Sequence, residues 1–540
     1  MLSYSLYCSG FIGSKVCLRM LRGTVKLWQC MSRNGTGQIQ VLRMLTTAPN
    51  LVKESLHYLD GKRVDATSDD TSQKFDVLYP ATGEVLCQVQ SAGRSDVDAA
   101  VNSAKEAYKE WSQRSNMERG KVLLKAAEIV RSNLEDLART EVLDTGKPIW
   151  EARLDIDGCA GTMEYYGGIA PSLQGEHILL PNGNFAYTRR EPLGVVGGIG
   201  AWNYPFQMAS WKTAPALVVG NTMVFKPSPL TPLTAVMLAE MYSQAGLPDG
   251  CLNIIQGMAE TGALLSSHQH IEKMTFTGSV PTGSKVMEAC AKDIKHVTLE
   301  LGGKSPLIIF EDCDLENAVK GAMLANFMNQ GQVCSNGTRV FVQRSILDAF
   351  LDKLVTRVKK MQIGDPLLEN TTVGSMISKE QCDIALSYIE SAKYEGATVL
   401  YGGEKVIPSS QFAKGNFLQP TILVNCRDNM KAVREEIFGS VMAVLTFDTE
   451  EEVLQRANDT QFGLAGGVFT KDLQKAHRVA SKMEAGSLYI NNYNVYPPEI
   501  PFGGYKKSGL GRENGAVTLN QYTQVKCVYV EMNDVDSGPL

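Results

Sequence analysis

Between Gly194 and Leu301, short apolar runs at 195–201, 222–226, 252–256, 274–277 and 297–299 alternate with helical patterns at 206–217, 233–245, 261–266 and 280–290. Apolar strands separated by helices can bury both faces only in a parallel sheet covered by helices on each side. Open sheets of this kind bind ligands beyond the carboxyl ends of their strands. Lys226, Gly278 and Glu300 all fall at such ends, which places an amine, a turn and a carboxyl on one edge.

The paired Gly302-Gly303 then reads as a hinge into a second α/β region. A helix at 347–361, with Phe350, Leu351, Leu354 and Val358 on one face, opens an alternation that runs to about residue 490. Upstream, residues 76–90 read as short strands around the turn YPATGE. The following helix is expected to be capped by Ser95 with Asp98, its apolar face formed by Val101, Ala104, Tyr108 and Trp111. Helical pattern continues through Leu123, Ile129, Val130, Leu134 and Leu137 and breaks near Gly146-Lys147-Pro148. EHILLPNGNFAYTRREP reads as a hairpin about Asn182-Gly183. With little core of its own, it is expected to pack on another element or subunit, and the alternating tail QYTQVKCVYVEM could pair with it.

Residues 1–46 stand apart. Seven Lys or Arg precede Glu54, the first acid of the chain, and Leu18, Leu21, Val25 and Trp28 make a stripe beside Lys15, Arg19, Arg22 and Lys26. That is the profile of a mitochondrial transit peptide; a disordered leader is the alternative. A net charge of −5 leaves no basic excess to track nucleic-acid phosphates, and no run of about 18 apolar residues could span a membrane. The 12 cysteines contain no CxxC pair and suit a reducing compartment. His268 and His270 lack further ligands nearby and read as loop residues, so no metal is expected.

Three residues far apart could do chemistry together. Cys334 sits in GQVCSNGTR, where Gly331 and Gly337 permit tight turns. A helix carrying Leu315, Val319, Met323 and Phe327, capped by Asp314, leads in, and a strand at 338–342 leads out. A lone cysteine is most often a buried hydrophobe. Glu300 in VTLELGGKSP and Asn203 in GIGAWNYPF add a carboxyl and an amide donor. GSVPTGSK has the G-x4-G spacing of a phosphate loop, but Ser284 precedes Lys285, which disfavours an NTPase. A strand, then Gly278 and Ser279, then a helix N-terminus would still suit a pyrophosphate, with Lys226 near ribose hydroxyls.

Taken in order, GIGAWNYP, FKPSP, FTGSVPTG, ELGGKSP, GQVCSNGTR, EEIFG and PFGGYKKSG make residues 50–530 resemble the NAD(P)-dependent aldehyde dehydrogenase superfamily. The resemblance implies an α/β fold with a Rossmann-type parallel-sheet domain (47–172 and 195–302), a catalytic α/β domain (303–510) and a small β oligomerisation element (173–194 and 511–532). It implies Cys334 as nucleophile, Asn203 as oxyanion donor and Glu300 as base, with NAD held by Trp202, Lys226, Gly278, Ser279, Gly283, Glu436 and Phe438. A homotetramer in the cytosol is implied too, or in the mitochondrial matrix if the leader works. Pro229 replaces a common carboxylate that would repel a 2′-phosphate, and Ser440 replaces a common proline.

EARLDID and LYINNYNVYPPEIPFGGYKKSGLGREN are similar to the branch that oxidises trimethylamino aldehydes. This implies oxidation of 4-trimethylaminobutyraldehyde, as in carnitine biosynthesis; betaine aldehyde or general aliphatic aldehydes are the alternatives. Tyr204, Trp211, Tyr496 and Phe502 would supply aromatic faces and Glu499 a carboxylate for the cation. Met328 stands where plant betaine aldehyde dehydrogenases carry an aromatic. A coenzyme A-acylating enzyme and a non-catalytic scaffold are the competing classes; Glu300 argues against the first and the intact trio against the second.

Overall fold

The computed structural model describes residues 56–67 and 74–539, so the expected leader at 1–46 lies outside the described residues. Five parallel strands form the centre of an eight-stranded sheet, in the order His296–Glu300, Lys273–Thr277, Val195–Ile199, Thr222–Lys226, Leu252–Ile254. Chain order therefore reverses beside Val195–Ile199, which makes the crevice at Ile199 and Thr277 the ligand edge of the sheet. Antiparallel strands close both sides: His57–Leu59 and Lys62–Val64 on one, Gly509–Leu510 on the other.

After Glu300 the chain crosses through Gly302 and Gly303 and enters a second, seven-stranded sheet at Pro306–Ile309. Six of its strands are parallel, and Thr398–Tyr401 pairs antiparallel at one edge. Phe341, Leu445 and Val468 pack with the helices on one face, and Val340, Val342 and Val444 with those on the other. Such two-sided burial is why these strands read as continuous apolar runs. The tail strand Thr523–Val530 pairs along its whole length with Phe185–Pro192, and His177–Leu179 completes that antiparallel sheet.

Three local expectations change. The first long helix, Arg94–Trp111, begins at Gly93, whose N–H donates to Asp96 Oδ2 at 2.9 Å; Ser95 and Asp98 do not cap it. Asp96 wins because its other oxygen also accepts from the Thr67 N–H (2.8 Å) and hydroxyl (2.6 Å). After Gly146-Lys147-Pro148 a further helix, Ile149–Ile169, has no counterpart in the sequence pattern. The Asn182-Gly183 turn is wider than two residues: Pro181–Gly183 forms a 3-10 turn, with Asn182 left-handed at φ 64°.

Candidate active site

The nucleophile loop is built by constraint on both sides. Asp314 caps the helix Leu315–Phe327 by accepting from the Asn317 N–H at 3.1 Å. The chain then enters Met328–Gly331, where Asn329 and Gln330 are both left-handed (φ 48° and 53°). Two such residues in succession store on the order of 1–3 kcal/mol each. A Cβ on Gly331 would collide with Gly439 and Ser440, and one on Gly337 would stand 2.9 Å from the Tyr493 hydroxyl. Within residues 329–338 only Cys334 is partly exposed, the others being buried. Burial, with Glu436 and Glu300 nearby, pushes its thiol up to about 12.

Asn203 lies one residue before the N-cap, Tyr204, of the helix Pro205–Val218, which starts on a proline suited to a first helical position. Its side-chain N–H donates to the Gln332 carbonyl at 2.9 Å, two residues before the thiol. An amide carries two N–H donors, so one is left over.

Glu300 ends its strand with both carboxyl oxygens buried and without a hydrogen-bond partner among the described residues. Burial, then the neighbouring Glu513, hold its carboxyl well above the usual range, while Lys212 and Arg512 pull it back. Lys212 forms a buried ion pair with Glu513 and donates to the Thr277 hydroxyl at 2.7 Å. Glu513 is fixed in turn by a two-bond bridge to Phe502 (2.6 and 2.8 Å). Sequence reading missed this pair. Lys212 is a lone charge in the apolar helix PFQMASWKTAPALV, and that was the available signal.

One cavity of about 600 Å³ is lined by Cys334, Asn203, Glu300, Trp202, Tyr204, Trp211, Lys226, Gly278, Ser279, Glu436, Phe438, Tyr496 and Phe502. Two expected residues do not line it. Gly283 is buried under Leu301, where a Cβ would stand 2.6 Å from that side chain. Glu499 is exposed on a loop pinned outward by Gly515, whose N–H donates to the Pro498 carbonyl at 2.8 Å. Asp155, on the helix the sequence pattern did not reveal, lines the cavity near Tyr204. It bonds Lys147 at 2.5 Å within a buried cluster that includes Glu141 and Glu151.

The residues present fit a dinucleotide. Ser279 caps the twelve-residue helix Val280–Ala291, whose first turn opens on the cavity and would favour an anion. Lys226 is 3% exposed, and among the described residues its ammonium donates only to the Pro227 carbonyl at 3.0 Å; burial lowers its pKa to about 8. Glu436 accepts from the Gly303 N–H at 3.1 Å and leaves no room for a Cβ on Gly302. Trp202 and Phe438 meet edge-on, ring centres 5.1 Å apart.

Such a fold, with a thiol, an amide and a carboxyl converging beside a dinucleotide crevice, defines a cysteine-dependent oxidoreductase. The sequence profile of the aldehyde dehydrogenase family matches residues 67–528, and the chain belongs to that family. It is 59% identical over 494 residues to 4-trimethylaminobutyraldehyde dehydrogenase A of Danio rerio, covering 91% of this chain and 97% of the relative. It is 56% identical over 495 residues to the Homo sapiens 4-trimethylaminobutyraldehyde dehydrogenase, covering 92% and 100%. Among solved structures, the Staphylococcus aureus betaine aldehyde dehydrogenase complex with NAD+ superposes at a TM-score of 0.88 with 38% identity, covering 92% of this chain and 99% of that one. The NAD+ complex of a Bacillus cereus aldehyde dehydrogenase gives 0.86 and 42%, covering 89% and 98%.

Proposed function

We propose that this enzyme oxidises a cationic aldehyde, 4-trimethylaminobutyraldehyde or a related aminoaldehyde, to its carboxylic acid with NAD, as in carnitine biosynthesis. The observation that carries the reading is that one cavity presents Cys334, Asn203 and Glu300 together with Lys226 and the Val280–Ala291 helix start. The names of the relatives support the substrate class.

Bound NAD supplies a hydride acceptor and, through its positively charged ring, electrostatic support for a thiolate. Lys226 would hold its adenosine ribose, Gly278 and Ser279 the pyrophosphate side, and Glu436 with Trp202 and Phe438 the nicotinamide side. Cys334 attacks the aldehyde carbon to form a thiohemiacetal, with the oxygen steadied by the Asn203 amide and the Cys334 N–H. Loss of hydride from that carbon leaves a thioester. Glu300 takes a proton from water as the water attacks, and the acid leaves with the Cys334 sulfur restored. Glu300 must be ionised to do so, and the nearby Lys212 and Arg512 charges favour that form against burial and the Glu513 carboxyl.

Trp211 faces Phe502 (5.5 Å between ring centres) and Tyr496 (6.3 Å), an aromatic wall suited to a group that cannot donate hydrogen bonds. Asp155 also lines the cavity, its charge offset by the Lys147 ammonium. Betaine aldehyde is the second reading, because Met328 lines the cavity where an aromatic would complete a tighter cage. We place the enzyme in the cytosol as a homotetramer joined through the Thr523–Val530 sheet, with the mitochondrial matrix as the alternative. The test is a substrate panel with NAD and NADP side by side, followed by NADH absorbance. The reading requires a higher kcat/KM for 4-trimethylaminobutanal than for hexanal, and equal values would sink it.

A further inference from the structure

We propose that Glu151 is a positioning residue for the oxyanion donor: it fixes the left-handed Asn329–Gln330 turn, and Asn329 in turn fixes Asn203. Glu151 lies in the first turn of the helix Ile149–Ile169, where an acid is electrostatically welcome but normally faces water. Here it is 1% exposed. Its Oε2 accepts from the Asn329 backbone N–H at 2.9 Å, across 178 residues of sequence.

A buried backbone N–H must find an acceptor, and the left-handed turn takes Asn329 out of the preceding helix. Glu151 supplies that acceptor. The Asn329 side-chain amide then donates to the Asn203 carbonyl (2.9 Å) and weakly to the Gln332 carbonyl (3.4 Å). That Gln332 carbonyl is also the acceptor of the Asn203 side chain at 2.9 Å. Gln332 is itself held, donating to the Asn329 carbonyl at 3.2 Å and accepting from the Ile377 N–H at 3.0 Å. Three elements thus meet at one carbonyl beside the nucleophile. Glu151 does not line the cavity, and these contacts are its hydrogen-bonded route to the nucleophile loop; the double-variant cycle separates that route from the neighbouring Asp155–Lys147 pair. The proposal rests on the reading of Asn203 as oxyanion donor.

The experiment is steady-state kinetics on the full-length enzyme carrying Glu151→Leu, Glu151→Gln, Asn329→Gly, Asn203→Ala, and Glu151→Leu combined with Asn203→Ala. Asn203→Ala should lower kcat by roughly 10²–10³-fold. Glu151→Leu, which has no acceptor, should lower kcat by about tenfold or more with the KM for NAD unchanged. Glu151→Gln keeps an acceptor oxygen and should stay within about threefold of the native kcat. Because one residue acts through the other, the double variant should be no more than about twofold worse than Asn203→Ala. Should Glu151→Leu fail to fold, Asn329→Gly serves in the same cycle: glycine accepts the left-handed backbone, and only the side-chain amide is lost. Native kcat in Glu151→Leu, or full additivity in the cycle, overturns the positioning role while leaving the Asn203 reading intact. A native kcat in Asn203→Ala removes that reading and the proposal with it.

Discussion

The Lys147 ammonium lies 4.0 Å from the centre of the Tyr204 ring and is not itself among the residues lining the cavity. A cation already drawn to this ring weakens its attraction for a second one. Of the four aromatic residues at the substrate end, Tyr204 is therefore the least able to recognise a trimethylammonium group. Discrimination falls to Trp211, Tyr496 and Phe502. Trp211→Ala should lower kcat/KM for 4-trimethylaminobutanal more than for hexanal, by about 2–30-fold, the equivalent of a contact of about 0.5–2 kcal/mol. Tyr204→Phe keeps the ring and should leave the ratio nearly unchanged. A parallel fall for both aldehydes in Trp211→Ala would mean a shape-selective tunnel.

Glu300 is needed only after the thioester exists. Glu300→Gln should therefore still release about one NADH per active site in a rapid burst, while steady turnover drops by roughly 10²–10⁴-fold. Stopped-flow absorbance separates the two phases. Loss of the burst itself would place Glu300 in the first chemical step.

Without cofactor, the Cys334 thiol is held near 12 by burial and by the Glu436 and Glu300 carboxyls. Only the thiolate alkylates. Iodoacetamide inactivation of the cofactor-free enzyme should thus rise about tenfold per pH unit from pH 7 to pH 10 without levelling. A plateau near pH 8 would show a thiol already activated in the resting enzyme.

Pro229 lines the cavity beside Lys226 and Ser228, and no carboxylate stands next to it in the KPSPL run to repel a 2′-phosphate. Pro229→Glu should raise the ratio of kcat/KM for NAD over NADP by about tenfold or more, chiefly through the KM for NADP. An unchanged ratio would mean that selectivity is set elsewhere.

The alternation between Gly194 and Leu301 was legible because two-sided burial leaves an unbroken apolar signature, and the strand ends then place Lys226, Gly278 and Glu300 correctly. The helix Ile149–Ile169 was not, because Gly158, Gly161, Gly167 and Gly168 argue against a helix. Tertiary packing overrides that bias: Gly167 and Gly120 meet so closely that a Cβ on either would come within 3 Å of the other's carbonyl oxygen. Losing that helix from view also hid Glu151 and Asp155, whose roles exist only once it packs behind the nucleophile loop. Glu513 was invisible for a similar reason, since nothing local in GLGREN signals a buried partner for Lys212.

The buried acids of that same helix make stability depend on pH with a sign opposite to the usual carboxylate. Burial, then the charge of Asp155, raises the Glu151 carboxyl to about 8, with Lys147 pulling the other way. In the unfolded chain it would titrate near 4.3. Between those values the folded protein keeps a proton that the unfolded chain releases, so each pH unit costs about 1.4 kcal/mol of stability. Glutamine at 151 has no proton to lose and escapes this cost. The Tm of Glu151→Gln relative to the native enzyme should therefore climb as pH rises from 5 to 8 and level off above 8. A Tm difference that stays flat across this range, or that shrinks with rising pH, would mean Glu151 is already ionised in the folded enzyme and is held by Lys147 as a true ion pair.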